Sequence, residues 1–140
     1  IDSGTIVSTK SRLRYENSTY RASGSKTTVA KTIPIVVLVN ANTASASEIL
    51  SGALKDNHKA VLVGSRTFGK GLVQQIVPLP NGTGLNITIA KYLTPNGSDI
   101  NKKGIEPDYN VEYTIKDLRK HNDTQLKKAE EVITNLIQNK

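Results

Sequence analysis

One serine stands where the sequence predicts that a buried strand ends and a helix begins. The apolar run at residues 35–39 precedes a polar turn at residues 40–43, and Ala44 and Ala46 flank Ser45. At a helix N-terminus, free backbone N–H groups and the helix dipole favour developing negative charge. The small neighbours admit a substrate backbone. The position therefore suits a nucleophilic serine, although serine is also favoured there simply as a helix cap.

A nucleophilic serine needs a base. Both histidines of the chain, His58 and His121, have polar neighbours, which is typical of solvated surface side chains. A Ser–His–Asp arrangement is therefore poorly supported by the sequence.

A lysine is the alternative base, because burial favours its neutral form. Lys70 lies between Gly69 and Gly71 and close to the only phenylalanine, Phe68. We expect it to project inward between apolar strands, with an ordinary surface lysine as the alternative. The phosphate-loop pattern at residues 64–70 is weak, because glycine follows the lysine where serine or threonine is needed and a strand follows in place of a helix.

The hydrophobic pattern predicts a layered α/β fold in one domain. Strands are predicted at residues 1–8, 35–39, 60–63, 72–79, 85–90 and 111–113, with the second buried on both faces. The first helix, capped by Asn42 or Thr43 and ending near residues 56–57, is predicted to bury Ala46, Ile49, Leu50, Ala53 and Leu54. The last helix, capped by Asp123 over residues 123–138, is predicted to bury Leu126, Ala129, Ile133, Leu136 and Ile137. Residues 9–32 are predicted to be a mobile excursion, with a ragged hairpin around residues 13–15 and 27–30.

Composition excludes several classes of function. The chain of 140 residues has no cysteine, so disulfides, thiol catalysis and cysteine metal sites are excluded. No apolar run approaches the roughly 20 residues that span a membrane. The net charge of +7 raises nucleic-acid binding as an alternative, but no motif supports it. Because the chain begins with Ile1, we expect it to be a piece of a longer protein.

Several segments in order resemble the carboxyl-terminal processing (tail-specific) protease family, over roughly residues 1–112. Those segments are Gly4-Thr5-Ile6-Val7, Val37-Leu38-Val39-Asn40, Thr43-Ala44-Ser45-Ala46-Ser47-Glu48-Ile49, Gly64-Ser65-Arg66-Thr67-Phe68-Gly69-Lys70-Gly71, Val73-Gln74, Lys91-Tyr92-Leu93-Thr94-Pro95-Asn96-Gly97 and Gly104-Ile105-Glu106-Pro107-Asp108.

The resemblance implies a serine endopeptidase with a Ser–Lys dyad. Ser45 would be the nucleophile and Lys70, 25 residues later, the general base. Gln74 would orient the lysine, and the backbone N–H of Ala46 would donate to the oxyanion. Asp56 matches an acidic position that is implicated in some family members.

The resemblance also implies a crotonase/ClpP-like fold, no cofactor and no metal. It implies protein substrates with accessible, often apolar C-termini and an extracytoplasmic location. We expect this sequence to lack the PDZ domain and the upstream part of the core that family members carry. A catalytically silent homologue that acts as a binding or scaffold module is the alternative function.

Overall fold

The computed structural model describes residues 1–13, 17–24 and 32–139. Within them the chain forms seven strands and three helices. In chain order these are β1 (Thr5–Ser11), β2 (Ser18–Arg21), β3 (Val36–Val39), α1 (Ala46–Asp56), β4 (Val61–Gly64), β5 (Leu72–Pro78), β6 (Gly84–Leu93), β7 (Tyr109–Asn110), α2 (Ile115–Arg119) and α3 (Thr124–Gln138).

The strands divide between a parallel and an antiparallel sheet. The parallel sheet has the order β3-β4-β7, and α1 connects its first two strands. Parallel neighbours need such a crossover. The antiparallel sheet has the order β2-β1-β6-β5. The prediction of a layered α/β fold is confirmed.

Two apolar clusters hold these layers together. Val39 and Leu62 pack with Ile100 and Ile105 from the loop that follows β6. On the other face of the parallel sheet, α3 contributes a second cluster that consists of Val63, Ala129 and Val132, with Val36, Val61, Val111 and Leu136 packed against it. The central strand of the parallel sheet, β4, is therefore covered on both faces.

The prediction that the strand at residues 35–39 is buried on both faces is wrong. Val39 is buried, but Leu38 is 46% exposed. β3 is the edge strand of its sheet, so the described part of the chain leaves one side of it open.

The predicted apolar face of α1 is only partly correct. Ala53 is buried as predicted, but the helix also buries Glu48, Ser51 and Gly52, whereas Leu50 is 59% exposed. The packing is too close for large side chains: a Cβ atom added at Gly52 would lie 3.2 Å from Cδ1 of Ile105. Polar and small residues therefore form the buried face.

Asp123 caps α3 as predicted, through a hydrogen bond of 2.8 Å from the Leu126 N–H. The buried face is rotated from the prediction, because Ala129 is accompanied by Gln125 and Val132, while Leu126 and Ile137 are exposed. Gln125 is drawn inward because its Nε2 donates to the Val111 carbonyl at 2.7 Å.

The predicted buried face of the strand at residues 85–90 is exposed. Leu85, Ile87 and Ile89 all face solvent, because no described layer covers that side of the β5–β6 hairpin.

Other boundaries differ from the predictions. Residues 9–32 contain the end of β1 and all of β2, while residues 14–15 and 27–30 of the predicted hairpin lie outside the described residues. The short strand expected at residues 111–113 is replaced by β7, and α2 was not predicted. No helix among the described residues is long and apolar enough to cross a membrane.

Candidate active site

Ser45 occupies a strained backbone conformation at the start of α1. It is the N-cap residue, with φ 58° and ψ −116°, a region that non-glycine residues rarely adopt. A sharp, strained turn from strand to helix is the geometry of a nucleophile elbow. The predicted caps Asn42 and Thr43 are therefore wrong; instead, Thr43 Oγ1 closes the preceding turn by accepting from the Asn40 N–H at 3.0 Å.

The Ala46 N–H is a free donor beside this serine. Ala46 is the first residue of α1, and no acceptor for its N–H lies among the described residues. The N–H groups of a first helical turn have no partner within the helix. This donor can therefore serve an oxyanion that forms next to Ser45 Oγ.

The carboxyl group of Glu48 joins the serine turn to the lysine loop. Its side chain is fully buried. Oε2 accepts from the backbone N–H of Ser45 at 3.0 Å and from that of Lys70 at 2.8 Å. Because one oxygen accepts both hydrogen bonds, the distance between the two backbone nitrogens cannot exceed the sum of 3.0 Å and 2.8 Å. The residues proposed for the dyad are thus neighbours in space.

The other oxygen of Glu48 holds the loop before Lys70. Oε1 accepts from Thr67 Oγ1 at 2.5 Å and from the Gly69 N–H at 2.7 Å. Thr67 Oγ1 in turn accepts from the Ile105 N–H at 2.7 Å. Glu48 therefore has four donors on its two oxygens, which satisfies a buried carboxyl group.

Lys70 itself is exposed, so the inward projection expected from the sequence is wrong for the described residues. Its side chain makes no hydrogen bond or ion pair with any residue that the structure describes. The backbone of Lys70 is held by Glu48, while its ammonium group has no partner among the described residues.

Gln74 lies in β5, four residues after Lys70. A bulge between Val73 and Gln74 changes the register with β6, so Gln74 pairs with Thr88. Its side chain is exposed and contacts neither Ser45 nor Lys70 through a hydrogen bond within the described part of the chain.

Asp56 lies at the opposite end of α1 from Ser45, about 16 Å away along a helix that rises 1.5 Å per residue. Its Oδ2 accepts from the Asn96 N–H at 2.9 Å. This position does not support a role in the chemistry, and indicates that Asp56 anchors the turn after β6.

Neither histidine reaches the serine turn. His58 and His121 are exposed and follow the C-terminal ends of α1 and α2, each with a positive φ. Among the described residues no cluster of three His, Asp or Glu side chains is placed to hold a metal ion.

A protein-family model now places the chain among known peptidases, since residues 1–111 match the model of peptidase family S41. The chain belongs to peptidase family S41. A carboxyl-terminal-processing protease from Picosynechococcus sp. is 56% identical over 108 residues, which cover 77% of this chain and 25% of that protein. The chloroplastic carboxyl-terminal-processing peptidase 1 of Arabidopsis thaliana is 60% identical over 78 residues, which cover 56% and 16%.

The fold is shared with a solved member of this group. The structure of a photosystem II D1 C-terminal processing protease aligns with a TM-score of 0.72 and 44% identity, over 80% of this chain and 28% of that one. The crotonase/ClpP-like α/β prediction is confirmed. The chain spans about a quarter or less of the length of its two S41 relatives and a little over a quarter of this structure.

Glu48 is not among the predicted site residues, although the sequence carries a signal for its contact with Ser45. A serine followed three residues later by glutamate is the spacing of a capping box. That spacing indicates an N-cap at Ser45. Nothing local indicates that the same carboxyl group also holds Gly69 and Lys70, which lie more than 20 residues further along the chain.

Proposed function

We propose that this S41 chain carries the Ser–Lys dyad of a serine endopeptidase that processes proteins near their C-termini. The observation that carries the proposal is the shared Glu48 oxygen, which keeps the Ser45 and Lys70 backbones side by side. The strained turn at Ser45 and the free N–H of Ala46 support it.

The reaction would be an acyl transfer. Neutral Lys70 removes the proton from Ser45 Oγ, which attacks the scissile carbonyl carbon. The Ala46 N–H donates to the resulting oxyanion. Lys70 then gives its proton to the leaving amine, and water hydrolyses the acyl-enzyme. A bound substrate would cover the exposed Lys70 side chain.

The choice of C-terminal substrates and the location are proposed from relatives. The Picosynechococcus and Arabidopsis proteins are named as carboxyl-terminal-processing enzymes, and the latter is chloroplastic. We therefore propose protein substrates with accessible apolar tails, an extracytoplasmic compartment, and a PDZ domain elsewhere in the intact protein.

The first test compares cleavage of an unstructured protein with an apolar tail by the intact wild type and by its Ser45→Ala and Lys70→Ala variants. We expect each variant to lose activity by about a thousandfold or more, and wild-type activity to rise between about pH 6 and pH 10 as one group loses its proton. His58→Ala is the matched control and should keep wild-type activity. Equal cleavage by all four proteins would contradict the proposal.

A second comparison separates charge from basicity at position 70. Lys70→Arg keeps the positive charge, but a guanidinium does not give up its proton in proteins. We expect it to be as inactive as Lys70→Ala. Gln74→Ala should lower activity only by about tenfold, because it would act through the orientation of the lysine. An active Lys70→Arg variant would exclude Lys70 as the general base.

A further inference from the structure

Three cations line one groove on the outward face of the antiparallel sheet. The groove has a volume of about 570 Å³, and its charged lining residues are Lys10, Arg12, Lys91 and Asp99. Leu72 and Ile89 supply apolar surface to the same groove. This size is within the range of ligand-binding pockets, about 300 to 1,000 Å³.

The pairing of β1 with β6 places two of these cations against each other. Lys10 lies directly opposite Lys91 in the antiparallel register, and like charges directly opposite destabilise a sheet. Asp99 neutralises the charge of only one of these two lysines, because its Oδ2 lies 3.0 Å from the Nζ of Lys91. The hydrogen bond from Lys91 is the main cause that holds the pKa of Asp99 below its usual value, so Asp99 stays charged.

The remaining two cations are not neutralised by the described residues. In that part of the chain neither Lys10 nor Arg12 pairs with a carboxylate, and both are exposed. The groove therefore offers an apolar floor with an excess of positive charge. Its chemistry is complementary to a peptide that carries carboxylates beside apolar side chains.

The groove lies near the proposed active site. Leu72, which lines the groove and is the first residue of β5, lies only two residues beyond Lys70, which corresponds to about 7 Å along an extended chain. This proximity favours a substrate segment over a separate ligand.

We propose that the groove formed by Lys10, Arg12, Lys91 and Leu72 binds an acidic segment of the polypeptide substrate. The inference rests on the proposed peptidase function and adds a charge preference to it.

Binding is measured first in the intact Ser45→Ala variant, so that catalysis does not enter the result. Fluorescence anisotropy compares peptides that share one apolar tail and carry an Asp-Asp or an Asn-Asn pair, moved along both sides of the expected cleavage point. We expect the best Asp-Asp peptide to bind about tenfold more tightly at low salt, which corresponds to about 1.4 kcal/mol from two exposed ion pairs together. High salt should remove the difference.

Matched variants test whether Lys10 and Arg12 bind the acidic segment. Adding Lys10→Gln and Arg12→Gln to Ser45→Ala should abolish the preference, whereas adding Lys59→Gln and Lys116→Gln, the same charge change elsewhere on the exposed surface, should leave it. With Ser45 restored, the Lys59→Gln/Lys116→Gln protein should still cleave the Asn-Asn peptide at the wild-type rate.

Two outcomes would overturn the inference: no preference in the Ser45→Ala protein at any position, or a preference that survives Lys10→Gln/Arg12→Gln. If the first outcome is accompanied by lower stability of the Lys10→Gln/Arg12→Gln protein, another part of the same protein covers the groove. Cleavage of the Asn-Asn peptide by wild type, and its loss in Ser45→Ala, tests the peptidase function independently.

Discussion

Ser45 has a strained backbone at the position where the proposed reaction needs an exposed hydroxyl group. A non-glycine residue in such a conformation costs about 1–3 kcal/mol, and this cost is carried by the Cβ atom and not by the hydroxyl group. Ser45→Ala removes the nucleophile but keeps the strain, whereas Ser45→Gly removes both.

We therefore expect Ser45→Gly to be more stable than Ser45→Ala by about 1 kcal/mol, after the greater freedom of glycine in the unfolded chain is subtracted. Denaturant unfolding of the two inactive proteins measures the difference. Ser47, inside α1, provides the control, because there glycine should be the less stable of the pair by about 1 kcal/mol. If the glycine variant were less stable than the alanine variant at both positions, Ser45 would not be strained.

In the proposed reaction, Glu48 would act only by positioning the backbones of Ser45 and Lys70. Glu48→Gln keeps the volume but turns one acceptor into a donor, which then faces the N–H groups of Ser45 and Lys70 or the donors of Thr67 and Gly69. We expect a loss of about 1–3 kcal/mol in the free energy of unfolding, with a lower kcat. Glu130→Gln, on the exposed side of α3, should change neither quantity. A normal kcat in Glu48→Gln would show that the shared oxygen does not position the dyad.

At the scale of elements, sequence pattern predicts existence better than orientation. The positions of α1, α3 and most strands follow from hydrophobic periodicity and capping residues. The buried face of α1 does not, because Glu48 accepts four hydrogen bonds, three of them from distant residues, and Gly52 is in close contact with Ile105. Hydrophobic periodicity considers only apolar residues. It therefore cannot predict the burial of a polar side chain whose hydrogen-bond partners lie elsewhere in the chain.

The rotated face of α3 makes a direct prediction. Val132 is 5% exposed and packs on the parallel sheet, while Ile137, assigned to the core by periodicity, is 59% exposed. Val132→Ala should cost about 2 kcal/mol through lost burial and a cavity, and Ile137→Ala less than about 0.5 kcal/mol. Chemical denaturation of both variants measures the two costs. If Ile137→Ala were more destabilising than Val132→Ala, the buried face of α3 predicted from the sequence would be correct.

At the scale of the molecule, the site exists because three loops from distant parts of the chain meet. The Phe68 N–H donates to the Thr43 carbonyl at 2.9 Å, which joins the lysine loop to the serine turn. The Lys102 N–H donates to the Gly69 carbonyl at 2.8 Å, which joins the lysine loop to the loop after β6. Each loop is recognisable in the sequence from its glycines and turn residues. Which loops meet depends on the order of strands in two sheets, and no local pattern contains that information.

Gly104 tests whether this meeting of loops controls activity. It has a φ of +69°, and an added Cβ atom would lie 2.2 Å from the Thr67 carbonyl oxygen. Gly82 has a φ of +79° but no atom within 4 Å of the same added Cβ. Alanine at either position incurs a cost of about 1–2 kcal/mol for the left-handed backbone, so the difference between the two variants isolates the contact.

We expect Gly104→Ala to lose about 1–3 kcal/mol more stability than Gly82→Ala, and to lose activity under conditions in which it is still folded. The physical reason is that Thr67 must move away from residue 104, and Thr67 shares the Glu48 carboxyl group with Gly69 and, through the other oxygen, with Ser45 and Lys70. Cleavage rates and unfolding curves of the two intact variants measure both effects. If Gly104→Ala were destabilised but its folded fraction cleaved normally, the loop after β6 would support the fold without positioning the dyad.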